Sequence, residues 1–280
     1  MTALLVGWGS SSMAGIGPAL EVALHGAGAL FLNEGAGGET SHHTAARIGS
    51  LPLPVRTADG HLPAAGSVRL EPTELDLASE HLKPFAGRVA GIEAVVHGTA
   101  EGVFLTRSAP GAPVAVDGDP FLPSRGEDLQ GRDTLLWMGK NDVNRGQSAA
   151  GVVERIVATA EHLSRAGARV VIVGQFTNNG ADPQQRAEVL AVNTACEEHF
   201  GPAHLGIQDL LTSPAVEAGT GLVMSAEDLA EREAGAKPHA LSTDPGHFNQ
   251  IGNHLVAARI VQGLRELGLL PDSPTPRSAP

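Results

Sequence analysis

Apolar and polar positions along the chain follow two rhythms. Over residues 1–50, a short apolar run, Ala3-Leu4-Leu5-Val6, ends in a Gly/Ser turn. Helical spacing follows over Ile16–Ala27, then a second apolar run, Ala29-Leu30-Phe31-Leu32. The Gly-rich loop Asn33–Thr40 leads into a helical stretch through Arg47. Strand, turn, helix and strand in this order predict a βαβ unit and a parallel sheet. The same rhythm returns from residue 133. Thr134-Leu135-Leu136-Trp137-Met138 is continuously apolar, as a strand covered on both faces must be. Ser148–Ala166 carries Val152, Val153, Ile156, Val157, Ala160 and Leu163 on one helical stripe. Arg169–Val173 reads as another buried strand. Asp182–Phe200 reads as a helix with Asp182 as N-cap and Pro183 at its first position. Phe248–Leu267 reads as a closing helix, and the Pro/Ser-rich tail 271–280 as a loose end.

Residues 51–125 break the helical rhythm. Short alternating runs appear at Ser67–Leu70, Gly91–Val96, Gly102–Thr106 and Pro113–Val116, separated by turns such as Asp117-Gly118-Asp119-Pro120. This is the pattern of a small β domain, and a structureless loop of that length inside a compact domain is improbable. The predicted architecture is therefore an α/β doubly wound three-layer sandwich with a parallel sheet over 1–50 and 126–270, interrupted by an inserted β-rich domain at 51–125.

With 280 residues, 42% of them hydrophobic, the chain can bury a sizeable core, which excludes disordered, collagenous and coiled-coil classes. The net charge of −12 makes phosphate backbones, and hence nucleic acid, poor partners. The single cysteine, Cys196, rules out an internal disulfide or a zinc site built on several thiolates; it reads as a small apolar group packed in its helix. No apolar run is long enough for a membrane span. The first residues lack the pattern of a secretory leader, so the address is cytoplasmic by default, with secretion as an alternative. Oligomeric state is not readable from the sequence.

Four short segments carry candidate chemistry at strand-to-helix junctions, the edge where open α/β sheets bind ligands. Gly9-Ser10-Ser11-Ser12-Met13-Ala14-Gly15 follows the first strand and places a hydroxyl at a helix start. Asn33-Glu34-Gly35-Ala36-Gly37-Gly38-Glu39-Thr40 lets backbone approach a reacting atom, but its glycines lack the spacing of a dinucleotide fingerprint. Gly139-Lys140-Asn141-Asp142 offers an uncharged amide, a good oxyanion donor. Asp244-Pro245-Gly246-His247 sets a carboxylate three residues before an imidazole, which it can hold in one tautomer. Taken singly, each segment is also an ordinary turn. His42-His43 lack a helical i, i+4 partner set, so they read as solvent-exposed or substrate-facing side chains, and no metal or cofactor is expected.

Jointly, in this chain order, the four segments resemble the SGNH hydrolases, also called GDSL esterases. The resemblance covers residues 1–50 and about 130–265. It implies the SGNH/flavodoxin-like fold and serine esterase chemistry. Ser11 would be the nucleophile, His247 its general base and Asp244 the group that orients His247. The oxyanion hole would be formed by the backbone N–H groups of Ser11 and Gly38 and the side-chain amide of Asn141. One departure is Ser10, where the family carries Asp, so Ser10 and Ser12 stay open as alternative nucleophiles. Trp8, Ser10, Ser12 and His42 are candidate pocket residues, with Trp8 as a wall of the acyl site. The expected substrate is a small-molecule or carbohydrate ester, foremost an O-acetyl group on a sugar. A short-chain aryl or alkyl esterase or lipase is the alternative. The resemblance also suggests a phage-tail-associated address for members with β insertions. A non-catalytic glycan-binding module on the same scaffold is the rival from another class.

Overall fold

The computed structural model describes residues 3–270; the tail 271–280 lies outside the described residues. A five-stranded parallel sheet forms the centre. Its spatial order is His204–Leu205, Val170–Val173, Asp133–Trp137, β1 (Ala3–Gly9) and β2 (Ala29–Gly35). β1 pairs with β2 on one side and with Asp133–Trp137 on the other, Gly9 standing opposite both Gly35 and Trp137. The chain thus reverses its direction of winding beside β1, and the strand ends there open onto a shared crevice.

Helices cover both faces. α1 (Ser11–Gly26) and the last helix, Gln250–Glu266, bury Met13, Ile16, Leu20, Leu24, Val256, Ile260 and Leu264 against Leu5, Leu135 and Val171. On the opposite face α2 (Ser41–Ile48), Ala149–Arg165 and Pro183–Phe200 bury Ile48, Val152, Ile156, Val192 and Cys196 against Val6, Trp8, Leu136 and Ile172. Cys196 is a core group there, and burial pushes its thiol up to about 11. Asp182 caps Pro183–Phe200 by accepting from the Gln185 amide at 2.8 Å.

α1 differs from the sequence expectation. It starts at Ser11 rather than Ile16 and runs through Gly15, Gly17 and Pro18. These residues weaken helix propensity, yet burying Met13 and Ile16 on the sheet overrides it. The strand-end turn at 139–142 likewise tightens into a helical turn, Lys140–Asn144, with Gly139 in the left-handed region.

Residues 53–123 contain a second, antiparallel sheet of six strands. Its order is Leu53–Val55, Asp119–Pro123, Phe85–Val89, Ile92–Thr99, Gly102–Arg107 and Ser67–Arg69. A third cluster of its own, including Val55, Leu75, Phe85, Val96, Leu105 and Phe121, lies beneath it, with Phe85 and Phe121 edge to face at 5.5 Å. Among the described residues no helix is long and apolar enough to cross a membrane.

Leu20 is fully buried between α1 and the sheet. Leu20→Ala therefore costs about 2–5 kcal/mol of stability through lost transfer energy and the cavity left behind, measured by urea denaturation with an unchanged slope.

Candidate active site

The turn out of β1 delivers Ser10 as N-cap and Ser11 as the first residue of α1. An alpha carbon is all that fits at Gly9: a Cβ there would lie 2.1 Å from the carbonyl oxygen of Trp137, so the neighbouring strand ends meet only because Gly stands at that position. Ser11 Oγ lies 2.9 Å from His247 Nε2, although 236 residues separate them. His247 Nδ1 lies 2.8 and 2.9 Å from the two carboxylate oxygens of Asp244. An ionised carboxylate only accepts, so Nδ1 carries the proton and Nε2 is left to accept from the Ser11 hydroxyl. Burial alone would raise the Asp244 carboxyl. The bonds from His247 and from the Gly246 amide, the latter at 2.8 Å, outweigh that and hold it below its ordinary value. The imidazole and the carboxylate are both about half exposed, so this chain of groups opens to solvent.

The glycine loop closes the other side. Gly38 has φ +79°, and a Cβ added there would meet the His81 ring at 2.6 Å. Asn141 donates one amide hydrogen to the Glu39 carbonyl at 2.8 Å, which leaves its second for another acceptor. Ser11 stands in the first helical turn, where amides have no partner inside the helix. Asp142, fully buried, accepts from the Ser41 amide at 2.8 Å, from Ser41 Oγ at 2.6 Å and from Arg155 at 3.1 Å, fastening the start of α2 to the turn that carries Asn141.

A buried charge cluster supports this loop from below. Glu39 is fully buried and accepts from Arg47 Nε at 2.9 Å, from Arg47 Nη2 at 2.9 Å and from the Lys83 amide at 3.1 Å. Burial pushes its carboxyl up, and Arg47 opposes that. Arg47 also donates to the Glu34 carbonyl at 2.7 Å and lies over the Trp8 ring at 5.0 Å.

Two sequence expectations are corrected here. Trp8 does not wall a pocket: it is 1% exposed, packed in the sheet core under Arg47, because β1 is the central strand and is covered on both faces. His42 and His43 are not solvent-facing, because the segment Glu74–Leu75 folds over them. His42 Nε2 stands 3.5 Å from Glu74, and His43 bonds the Leu75 carbonyl at 2.9 Å through Nε2 and the Thr40 amide through Nδ1 at 3.3 Å. Ser10 and Ser12 are buried, whereas Ser11 reaches His247. The sequence reading also missed Glu39, Arg47, Asp142, Arg155 and His81. Glu39 and Asp142 lay inside two of the four segments without a role of their own, Arg47 and Arg155 stood as polar residues on predicted helices, and His81 carried no signal. Among the described residues no group of three or more His, Cys, Asp or Glu side chains gathers as a metal ion requires.

The architecture is the α/β fold of known lipolytic hydrolase structures. A lipase/acylhydrolase from Enterococcus faecalis aligns over 98% of this chain and 100% of its own, with a TM-score of 0.51 and 12% identity. A member of the lipolytic protein G-D-S-L family from Veillonella parvula aligns over 93% and 97%, with a TM-score of 0.50 and 11% identity. At such identities the likeness is one of fold. No family model and no curated protein sequence matches the chain.

The buried His43 gives a test of how the loop is held. Burial lowers its pKa to about 4 from the ordinary 6.5, with the Leu75 bond opposing. The folded state therefore binds this proton less readily than the unfolded chain. The stability from neutral His43 is complete above pH 6.5 and is lost as pH falls towards 4, in all about 3 kcal/mol. Urea midpoints measured between pH 7 and pH 4 fall with this extra slope in the wild type, and His43→Gln flattens it.

Proposed function

We propose that this protein is a serine esterase, and that residues 51–125 are an inserted module facing its substrate. The observation that carries the reading is the unbroken chain Ser11 Oγ, His247 Nε2, His247 Nδ1, Asp244 carboxylate, with gaps of 2.9 and 2.8 Å. A serine hydroxyl is a weak nucleophile until a base shares its proton. In the proposed cycle Ser11 Oγ attacks the ester carbonyl carbon while its proton passes to His247 Nε2. The tetrahedral oxyanion receives the N–H groups of Ser11 and Gly38 and the free amide hydrogen of Asn141. Collapse breaks the bond to the alcohol, which leaves with the proton from His247. Water then attacks the acyl–Ser11 ester, giving its proton to His247; the acyl–Oγ bond breaks, His247 returns that proton to Ser11 Oγ, and the carboxylic acid leaves. Asp244 stays ionised throughout and stabilises the imidazolium.

For the substrate we favour short acyl groups, foremost O-acetyl, on carbohydrate. The half-exposed His247 and Asp244 suit a bulky, hydrated alcohol. The segment that joins two strands of the second sheet also supports this reading: its helical turn Ser79–His81 brings the half-exposed imidazole of His81 against Gly38, where a ring nitrogen can bond a sugar hydroxyl. The fold likeness to the acylhydrolase and G-D-S-L structures agrees with ester chemistry.

Hydrolysis of p-nitrophenyl acetate tests the reading. Ser11→Ala falls to the background rate, and a wild type no faster than background would refute it. Asn141→Ala lowers kcat by about 10²–10³-fold with a smaller change in KM. His81→Ala lowers the rate on acetylated xylan about tenfold, the worth of one hydrogen bond, and spares p-nitrophenyl acetate. Asp244, held below its ordinary value, stays ionised over the pH range of these assays.

A further inference from the structure

The chain has three lysines, and two of them, Lys140 and Lys237, are buried beneath the loop that presents Asp244 and His247. Lys140 is 6% exposed and Lys237 is fully buried. Lys140 Nζ donates to the Gly246 carbonyl at 2.6 Å and lies 3.3 Å from the centroid of the Phe176 ring. Lys237 Nζ donates to Asn179 Oδ1 at 2.6 Å, to Ser242 Oγ at 2.7 Å and to the Asp244 carbonyl at 3.2 Å. Between these two contacts the backbone N–H of Asn179 donates to the Pro245 carbonyl at 3.1 Å. Three successive carbonyls, those of Asp244, Pro245 and Gly246, are therefore each gripped by a different donor from below. Two of those donors are lysine Nζ groups.

Stability does not explain this arrangement. Taking an ammonium out of water costs several kcal/mol, and replacing a buried charge by an apolar group of similar size is often neutral or stabilising. Burial lowers Lys140 well below its ordinary value, with Lys237 adding repulsion and Asp244 opposing, and lowers Lys237 to about 8. Lys140 in particular has one carbonyl and one ring face to offset its desolvation. The loop itself is built of Pro245 and Gly246 between exposed residues, and its own internal bonds, from the Gly246 amide to Asp244 Oδ1 and in the short antiparallel pairing of Ser242–Asp244 with His247–Phe248, do not tie it to the scaffold. Beyond the buried Phe248 ring that follows His247, what ties it down is the set of contacts to its carbonyls.

We propose that Lys140 and Lys237 are positioning residues that pin the backbone of the Asp244–His247 loop by its carbonyls and so hold His247 Nε2 in line with Ser11 Oγ. The inference rests on the esterase reading above. Lys140 also precedes Asn141 on the same turn, so one helical turn sets the oxyanion side chain and the acid–base loop together. A carbonyl is indifferent to whether its donor is charged, so a neutral donor of similar reach retains part of the effect, and an apolar side chain retains none.

The experiment compares Lys140→Met, Lys237→Met, Lys140→Gln and Lys237→Gln with the wild type and with Ser11→Ala on p-nitrophenyl acetate, alongside their melting temperatures. The Met variants lose kcat about 10- to 100-fold, the scale of a misplaced catalytic group. Their KM stays within twofold and their melting temperatures hold or rise. The Gln variants recover part of the lost kcat. Met variants that keep the wild-type kcat while Ser11→Ala is inactive overturn the lysine roles and leave the esterase reading standing. Met variants that fail to fold, or that lose activity only as they lose melting temperature, also overturn the proposal, since the lysines would then serve stability. A wild type no faster than Ser11→Ala sinks both readings, because there is then no acid–base pair to position.

Discussion

Parallel pairing of β1 with both β2 and the strand Asp133–Trp137 is the constraint on which the rest depends. Parallel strands end at the same edge of a sheet, so the segments that follow them are delivered to one place whatever their separation in sequence. Ser11 follows β1, Gly38 follows β2 and Asn141 follows Asp133–Trp137. The register places Gly9, Gly35 and Trp137 side by side. His247 arrives from elsewhere, on the turn before the last helix, and that helix packs on α1, whose first residue is Ser11. The two partners of the 2.9 Å Ser11–His247 contact thus sit at the ends of two helices fixed to one another through the first core.

Around this edge the molecule uses buried charge rather than apolar packing to fix loops. Glu39 with Arg47 lies under the glycine loop, Asp142 with Arg155 lies under the start of α2, and Lys140 with Lys237 lies under the Asp244–His247 turn. Each group costs desolvation energy, offset by several charge-assisted hydrogen bonds or, for Lys140, by a carbonyl and an aromatic face. The gain is geometric. A Gly- or Pro-rich loop has little side chain to pack, so its position must come from its backbone N–H and C=O groups. The connection between the strands Ser67–Arg69 and Phe85–Val89 contributes to the same end, since the Lys83 amide donates to Glu39 and the Leu75 carbonyl accepts from His43.

Much of the parallel half was legible in the sequence because its signals are local. The continuous run at Thr134–Met138, the stripe from Val152 to Leu163 and the Asp182-Pro183 cap each specify an element within one window of chain. The site segments were legible as short motifs at strand ends. What escaped was whatever burial decides. α1 begins five residues earlier than its Gly and Pro residues suggest, because Met13 and Ile16 are needed in the core. The strand Phe85–Val89 was hidden by Ala86 and Gly87, poor strand formers held in place by neighbours on both sides. Trp8 and His42 were assigned to a pocket because each lies near Ser11 or the glycine loop in sequence. The cover on both faces of the central strand and a segment some 30 residues away bury them instead.

The most direct test of the central claim is covalent. An alkyl fluorophosphonate takes the place of the ester, losing fluoride to an activated serine and forming a stable phosphonyl–oxygen bond. Mass spectrometry of the digested, treated protein then identifies the labelled residue. The account predicts a single adduct on Ser11 that is lost in His247→Ala. An adduct on Ser10 or Ser12, or labelling of Ser11 that persists at the same rate without His247, would contradict it.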